Sequence, residues 1–122
     1  MDARIVLLVD DEPHVLAMIQ LILKRAGLSV LSAKSPREAF AIWHSHKDHI
    51  HVLVTDMELC AAMNGCELAH EFRKDKPSLK VILVSAYPDV DQKVDGVEFL
   101  QKPYDIRALI ETVRGQLNQQ PA

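Results

Sequence analysis

The sequence predicts an α/β fold, doubly wound and flavodoxin-like, with a five-stranded parallel sheet in the order 2-1-3-4-5. Short β-branched apolar runs alternate with stretches whose apolar residues recur at helical spacing. This alternation is typical of a parallel sheet covered by helices on both faces. Several of the runs end on polar residues, at the edge of the sheet where such folds bind ligands. A chain of 122 residues predicts one domain, 1–122, with an ordered core at about residues 4–118.

Each element has local signals of its own. We predict strands at the apolar runs, and helices where a proline, a glycine or a capping residue bounds an apolar stripe. The predicted strands are 4–9, 28–33, 51–55, 80–84 and 97–101; the predicted helices are 13–25, 36–47, one from Gly65 to before Pro77, a shortened fourth within 89–95 and a last one after its cap Asp105. Gly27 is expected to end the first helix, and Ser35 with Glu38 to form a capping box at the second.

Composition narrows the class of protein. An apolar content of 48% with 25% charged residues is ordinary for a globular domain. The net charge of −3 gives no basis for a nucleic-acid or membrane surface, and no apolar run approaches the ~20 residues of a membrane span. Cys60 and Cys66, in a chain with no visible export signal, predict free thiols and a cytoplasmic protein, with a disulfide between them as the minor alternative.

Acidic residues follow two strands that the predicted order makes neighbours. Asp10 and Asp11 come after the first strand, and Asp56 comes after the third. Three carboxylates at such close quarters raise one another's pKa unless a cation is present. A site of oxygen ligands with no histidine or cysteine suits a hard ion, and we predict Mg²⁺ or Mn²⁺.

Ser85 after the fourth strand and Lys102 after the fifth complete this site. A phosphoryl group on Asp56 would present three oxygens, for which the cation, the Lys102 ammonium and the Ser85 hydroxyl are suitable partners. A carboxylate nucleophile that forms an aspartyl phosphate is known covalent chemistry. The sequence therefore predicts phosphoryl transfer at the carboxyl edge of the sheet.

From Ile5 to about Leu117 the chain resembles the receiver domain of bacterial two-component response regulators, and the matching residues are Asp10-Asp11, Asp56, Ser85-Ala86 and Lys102-Pro103. The resemblance implies a CheY-like phosphorelay module. Asp56 would accept the phosphoryl group from a phosphohistidine of a sensor histidine kinase or a histidine phosphotransfer protein. The phosphorylated surface would then act on an unknown downstream protein or a fused domain, with no nucleic acid or membrane as partner of this chain.

The same resemblance assigns roles around Asp56. Asp11 would bind the metal directly, Asp10 mostly through water, and the backbone carbonyl of Glu58 would complete the ligand set. Catalysis would rest on Asp56, Ser85 and Lys102, so the domain would assist its own phosphorylation and dephosphorylation without being an enzyme for another substrate.

Four further residues have roles by resemblance. Ser85 would be the switch hydroxyl, and Phe99 the aromatic side chain that moves with it. Pro103 would follow a cis peptide bond. Tyr87, together with Glu58, would tune the lifetime of the phosphoryl group, and a Glu58 carboxylate could either repel or orient the hydrolytic water.

The chain departs from the receiver pattern in two places. Cys60 stands where receivers usually have proline, and Gly65 is nine residues after Asp56 where eight is usual, so the loop is one residue longer. This bears on the position of the Glu58 carbonyl. Ser85 and Lys102 are only seventeen residues apart, which shortens the fourth helix, as in stand-alone or hybrid-kinase receivers.

Other functions are compatible with parts of the sequence. A degenerate receiver would bind a partner without being phosphorylated, which the intact set of polar residues disfavours. A Mg²⁺-dependent phosphatase with an aspartyl nucleophile would need a second aspartate where Glu58 stands, and flavin binding would need a loop less acidic than the one after the first strand. The histidine run from His44 to His51 is interpreted as solvated surface.

Overall fold

The structure, a computed structural model, describes residues 4–59, 62–86, 96–102 and 105–118. Its five parallel strands have the order β2-β1-β3-β4-β5, which confirms the predicted topology. The elements are β1 (Ile5–Val9), α1 (Pro13–Arg25), β2 (Ser29–Ala33), α2 (Pro36–His46), β3 (Ile50–Asp56), α3 (Gly65–Asp75), β4 (Lys80–Ser85), β5 (Val97–Gln101) and the terminal α4 (Ile106–Asn118). The short helix predicted within 89–95 lies outside the described residues.

Two hydrophobic cores lie on opposite faces of the sheet, because successive strand residues point to opposite sides. Leu53 belongs to the core that contains Trp43 of α2 and Phe72 of α3. Its neighbour Val54 belongs to the core that contains Leu23 of α1 and side chains of α4. The central strands are therefore buried on both faces, which explains their continuous apolar sequence.

The strand that leads to the acidic site is longer than predicted. β3 begins at Ile50 and ends at Asp56, one residue beyond the expected strand at each end. The amide of Met57 still donates to the carbonyl of Val84 at 2.9 Å. Asp56 is thus the last residue of a hydrogen-bonded strand, and its backbone is held by the sheet.

The helix ends match the predicted signals in part. Gly27 has the positive φ of 90° expected after a helix end. Ser35 accepts the amide of Glu38, but the Glu38 carboxylate accepts the amide of Lys34, so the reciprocal bond of the predicted capping box is missing. A complete capping box occurs instead at α3, between Asn64 and Glu67.

The aromatic residues connect α2 with α3. Trp43 is buried and stacks on Phe72 with ring centroids 4.4 Å apart. Its indole N–H donates to the Asp75 carboxylate at 2.9 Å. Trp43 is the single tryptophan of the chain, so its fluorescence reports the integrity of this core.

The surface features have ordinary surroundings. His44 and His49 are exposed, while His46 and His51 are half-buried, each with Nδ1 within hydrogen-bond distance of a backbone carbonyl. Cys66 is a free, exposed thiol, and Cys60 lies outside the described residues. Across the described ranges, no helix combines the length and the apolar character that a bilayer span requires.

Replacing Asn64 by alanine removes the capping box of α3. We expect Asn64→Ala to lower the free energy of unfolding by about 1 kcal/mol, the usual cost of losing such a cap. Urea unfolding followed by Trp43 fluorescence measures this. The control is Ser45→Ala on the exposed face of α2, which should change stability by less than about 0.5 kcal/mol. Equal effects of the two substitutions would contradict the role of the cap.

Candidate phosphoryl-transfer site

Strand pairing brings the acidic residues together. β1 and β3 are adjacent and parallel, with Val9 opposite Thr55, so the residues that follow them emerge side by side. Carboxylate oxygens of Asp10, Asp11 and Asp56 all lie within 4.8 Å of one another. Such a set of oxygen donors fits a hard divalent cation such as Mg²⁺ or Mn²⁺.

The Asp56 carboxylate has a defined donor at each oxygen. The backbone amide of Glu58 donates to Oδ1 at 3.0 Å, and the Lys102 ammonium donates to Oδ2 at 2.6 Å. The Asp56 side chain is 7% exposed while that of Lys102 is 38% exposed. A nearly buried carboxylate is therefore oriented by one fixed backbone donor and one cation that retains access to solvent.

The acids and the lysine change one another's ionisation. Burial raises the pKa of Asp10, the amide of Glu12 opposes this rise, and the negative charge of Asp56 adds to it. Burial alone would lower the pKa of Lys102, but the hydrogen bond and charge of Asp56 outweigh it and raise that pKa. The site thus favours a cation beside Asp56 and disfavours the ionised form of Asp10.

Ser85 and Lys102 are linked through the backbone. β4 pairs with β5, with Ser85 opposite Gln101, and the amide of Lys102 donates to the carbonyl of Ser85 at 2.8 Å. Ser85 is buried. The hydroxyl and the ammonium are therefore carried by neighbouring strand ends, as the sequence predicted.

The Glu58 side chain makes a contact that the sequence did not predict. Its Oε1 accepts the hydroxyl of Ser85 at 2.8 Å. The carboxylate also lies close enough to Lys102 for its charge to raise the pKa of the ammonium. Sequence position alone gave Glu58 a carbonyl ligand or a water contact, because the contact depends on how two separate strand ends face each other.

Gly65 marks a close approach of α3 to β3. A Cβ atom at Gly65 would overlap the backbone carbonyl of Asp56, and the Gly65 amide donates to the carbonyl of Met57 at 3.0 Å. A side chain at this position would push the start of α3 away from the residue that carries the central carboxylate. The glycine is therefore a structural requirement of the site in spite of the longer loop.

The remaining predicted residues lie apart from this cluster or outside the described ranges. Phe99 is half-buried and packs against the core on the α2 and α3 side. There it lines, with residues of α3, a cavity of about 370 Å³. Tyr87 and Pro103 are not among the described residues, so the predicted tuning role and cis peptide bond stay predictions.

Gly65→Ala should disturb the site through the backbone of Asp56. We expect a loss of about 2–3 kcal/mol in unfolding free energy, because the new methyl group overlaps a backbone atom that the sheet holds. Urea unfolding followed by circular dichroism measures it. Gly115→Ala is the matched control: nothing lies within 4 Å of a Cβ there, and a helical alanine should raise stability by up to about 1 kcal/mol. A neutral Gly65→Ala would refute the close-packing requirement.

Asp10→Asn should stabilise the metal-free protein. The folded-state pKa of Asp10 is raised. The contribution of this group to stability is therefore complete below its unfolded pKa and is lost as pH rises through its folded pKa. At pH 7 we expect the substitution to raise the free energy of unfolding, because asparagine avoids the cost of burying an ionised carboxylate beside Asp56.

Thermal unfolding with and without Mg²⁺ tests this expectation. Mg²⁺ should raise the midpoint of the wild type more than that of Asp10→Asn, since the variant lacks one of the three carboxylate charges that attract the cation. Glu12→Gln, which removes an exposed charge next to the cluster, should behave like the wild type. Destabilisation by Asp10→Asn without metal would contradict the assigned charge balance.

Comparison with known proteins agrees with this geometry. Residues 6–114 match the family model of the response regulator receiver domain. The transcriptional regulatory protein GlrR of Escherichia coli (strain K12) is 30% identical over 118 residues, which cover 93% of this chain and 26% of GlrR. This chain thus spans about a quarter of that relative.

Solved structures give the same result. The crystal structure of a response regulator receiver domain protein from Clostridium thermocellum superposes with a TM-score of 0.84 at 28% identity, covering 94% of each chain. The receiver domain of the hybrid histidine kinase CckA gives a TM-score of 0.81 at 31% identity, covering 93% of this chain and 98% of that one. The chain therefore belongs to the response regulator receiver domains of two-component signal transduction.

Proposed function

We propose that Asp56 is the phosphoacceptor of this receiver and that it takes its phosphoryl group from a phosphohistidine. The observation that carries the proposal is the Asp56 carboxylate itself, bonded to Lys102 at 2.6 Å beside two further carboxylates. Its donor is a sensor histidine kinase or a histidine phosphotransfer protein. The exchange takes place in the cytoplasm.

The chemistry requires positioning and charge compensation more than covalent assistance from the protein. An oxygen of Asp56 forms a bond to phosphorus as the bond from phosphorus to the histidine nitrogen breaks, and the imidazole leaves with the electron pair of that bond. The fixed Glu58 amide at Oδ1 orients the nucleophile. Lys102 has three donor hydrogens, so its ammonium can compensate a phosphoryl oxygen once the new bond forms.

The metal ligands in this proposal are Asp10, Asp11 and Asp56, with the backbone carbonyl of Glu58 as a further ligand. The oxygen-only donor set supports Mg²⁺, or Mn²⁺ in its place. When bound, the cation supplies positive charge to the transferring group. Asp10 and Asp11 would hold that charge beside the acceptor carboxylate, because oxygens of all three carboxylates lie within 4.8 Å of one another.

Signal output follows from a change in surface contacts. The Ser85 hydroxyl turns to the phosphoryl group. Phe99, on the strand β5 that precedes Lys102, repacks together with it. Such a shift between two surface states is how a local charge event reaches a partner. The output is a downstream protein or a fused domain, and the domain, residues 1–122, acts as a switch and not as an enzyme on other substrates.

Phosphorylation by acetyl phosphate, a small phosphoryl donor, tests the proposal. With Mg²⁺, we expect intact-mass measurement to show one phosphoryl adduct on the wild type that hydroxylamine removes, and none on Asp56→Asn. Asp75→Asn should keep the adduct, because this carboxylate is at the C-terminal end of α3 and accepts a hydrogen bond from Trp43.

Two results would contradict the proposal. One is an adduct that persists in Asp56→Asn. The other is a wild type that forms no adduct and also fails to bind the phosphoryl mimic beryllofluoride with Mg²⁺. That second result would leave an interaction module that works without phosphorylation.

A further inference from the structure

The Glu58 side chain accepts the hydrogen bond of the Ser85 hydroxyl, which a phosphoryl group on Asp56 would need as a donor. Glu58 Oε1 accepts the Ser85 hydroxyl at 2.8 Å. The Glu58 backbone meanwhile donates to Asp56 Oδ1 at 3.0 Å. One residue thus contacts both the acceptor carboxylate and the switch hydroxyl, through its backbone and its side chain respectively.

A serine hydroxyl has one hydrogen to donate. Ser85 can give it to the Glu58 carboxylate or to a phosphoryl oxygen, and each is a charged acceptor that forms a strong hydrogen bond. The two bonds exclude each other. Because Ser85 is 2% exposed, water is a poor substitute partner, and the hydroxyl depends on the protein or the phosphoryl group for an acceptor.

Lys102 lies next to the same contact. Its amide donates to the carbonyl of Ser85 at 2.8 Å, and the charge of Glu58 adds to the effects of Asp56 and Asp10 that favour the protonated ammonium. The Glu58 carboxylate is the anion that the Ser85 hydroxyl contacts in this structure, and phosphoryl oxygens on Asp56 would be a second anionic acceptor.

We propose that Glu58 is a positioning residue that holds Ser85 in the unphosphorylated arrangement and competes with the phosphoryl group for its hydroxyl. This inference rests on the proposed function of Asp56. The Glu58 side chain is exposed, so it can leave Ser85 for solvent without a large desolvation cost. Its backbone bond to Asp56 is unaffected by that movement. The competition sets how strongly the site stabilises a phosphoryl group on Asp56, and therefore how tightly it binds a phosphoryl mimic.

Simple charge repulsion is the rival explanation, since an anion near Asp56 would weaken binding of another anion from any position. The two explanations differ in their dependence on contact. Glu58→Asp keeps the charge but is one methylene too short for the observed bond to Ser85. Glu58→Ala removes both the charge and the bond, and both variants retain the backbone amide that orients Asp56.

The experiment measures the affinity for beryllofluoride by isothermal titration calorimetry at saturating Mg²⁺, with saturation established separately for each variant. The proteins are the wild type, Glu58→Asp, Glu58→Ala, Ser85→Ala and the two corresponding double variants. Glu12→Gln is the charge control, because it removes one exposed carboxylate close to the site without touching Ser85.

We expect both Glu58 variants to bind beryllofluoride about three- to tenfold more tightly than the wild type, the range for one partly solvated hydrogen bond. In the Ser85→Ala background the same substitutions should change affinity less than about twofold, because the contested hydroxyl is gone. Circular dichroism confirms that each variant is folded before it is titrated.

Four results would overturn the inference. If Glu58→Asp matches the wild type while Glu58→Ala and Glu12→Gln both tighten binding, the cause is charge repulsion. Equal gains with and without the Ser85 hydroxyl would show that the hydroxyl is not contested. Unchanged or weaker binding of beryllofluoride in both Glu58 variants would show that Glu58 does not compete for Ser85. The proposed function would still stand in that case, because the wild type binds the mimic. A wild type that binds no beryllofluoride and gains no adduct would remove the proposed function as well.

Discussion

The close approach of three carboxylates at one edge of the sheet is the constraint on which the site depends. Because β1 and β3 are neighbours, the residues that follow them lie at the same edge of the sheet. The β1–β3 ladder keeps the backbones of Asp10, Asp11 and Asp56 close together. The burial of apolar side chains on both faces of β3 stabilises the fold and offsets the unfavourable burial of carboxylates at the end of this strand. The ammonium of Lys102 donates to Oδ2 of the nearly buried Asp56 at 2.6 Å and places a positive charge beside the three carboxylates.

The polar groups of the site are already paired with one another. Asp56 has a donor at each oxygen, and the Ser85 hydroxyl has Glu58 as its acceptor. A phosphoryl group would therefore exchange the acceptor of the Ser85 hydroxyl, while Lys102 could add a bond with its other ammonium hydrogens. In a switch that exchanges partners, the difference in strength between the two acceptors biases which arrangement is populated.

The sequence was sufficient for the topology and for the approximate position of each strand, because runs such as Val52–Val54 are apolar throughout and lie just before a charged residue, Asp56. Details that depend on how separate segments face each other were not accessible. Ser35 carried the expected cap signal, yet Glu38 bonds to Lys34, since the incoming chain presents that amide instead. The contact of Glu58 with Ser85 likewise joins the segment after β3 to the end of β4, two positions 27 residues apart, where no local pattern applies.

Strand register fixes the spacing of Ser85 and Lys102. The bond between their backbones continues the β4–β5 ladder, so the backbone positions of the two residues relative to each other do not depend on how many residues connect the strands. A connection of different length between β4 and β5 would therefore leave the backbones that carry the hydroxyl and the ammonium in the same register.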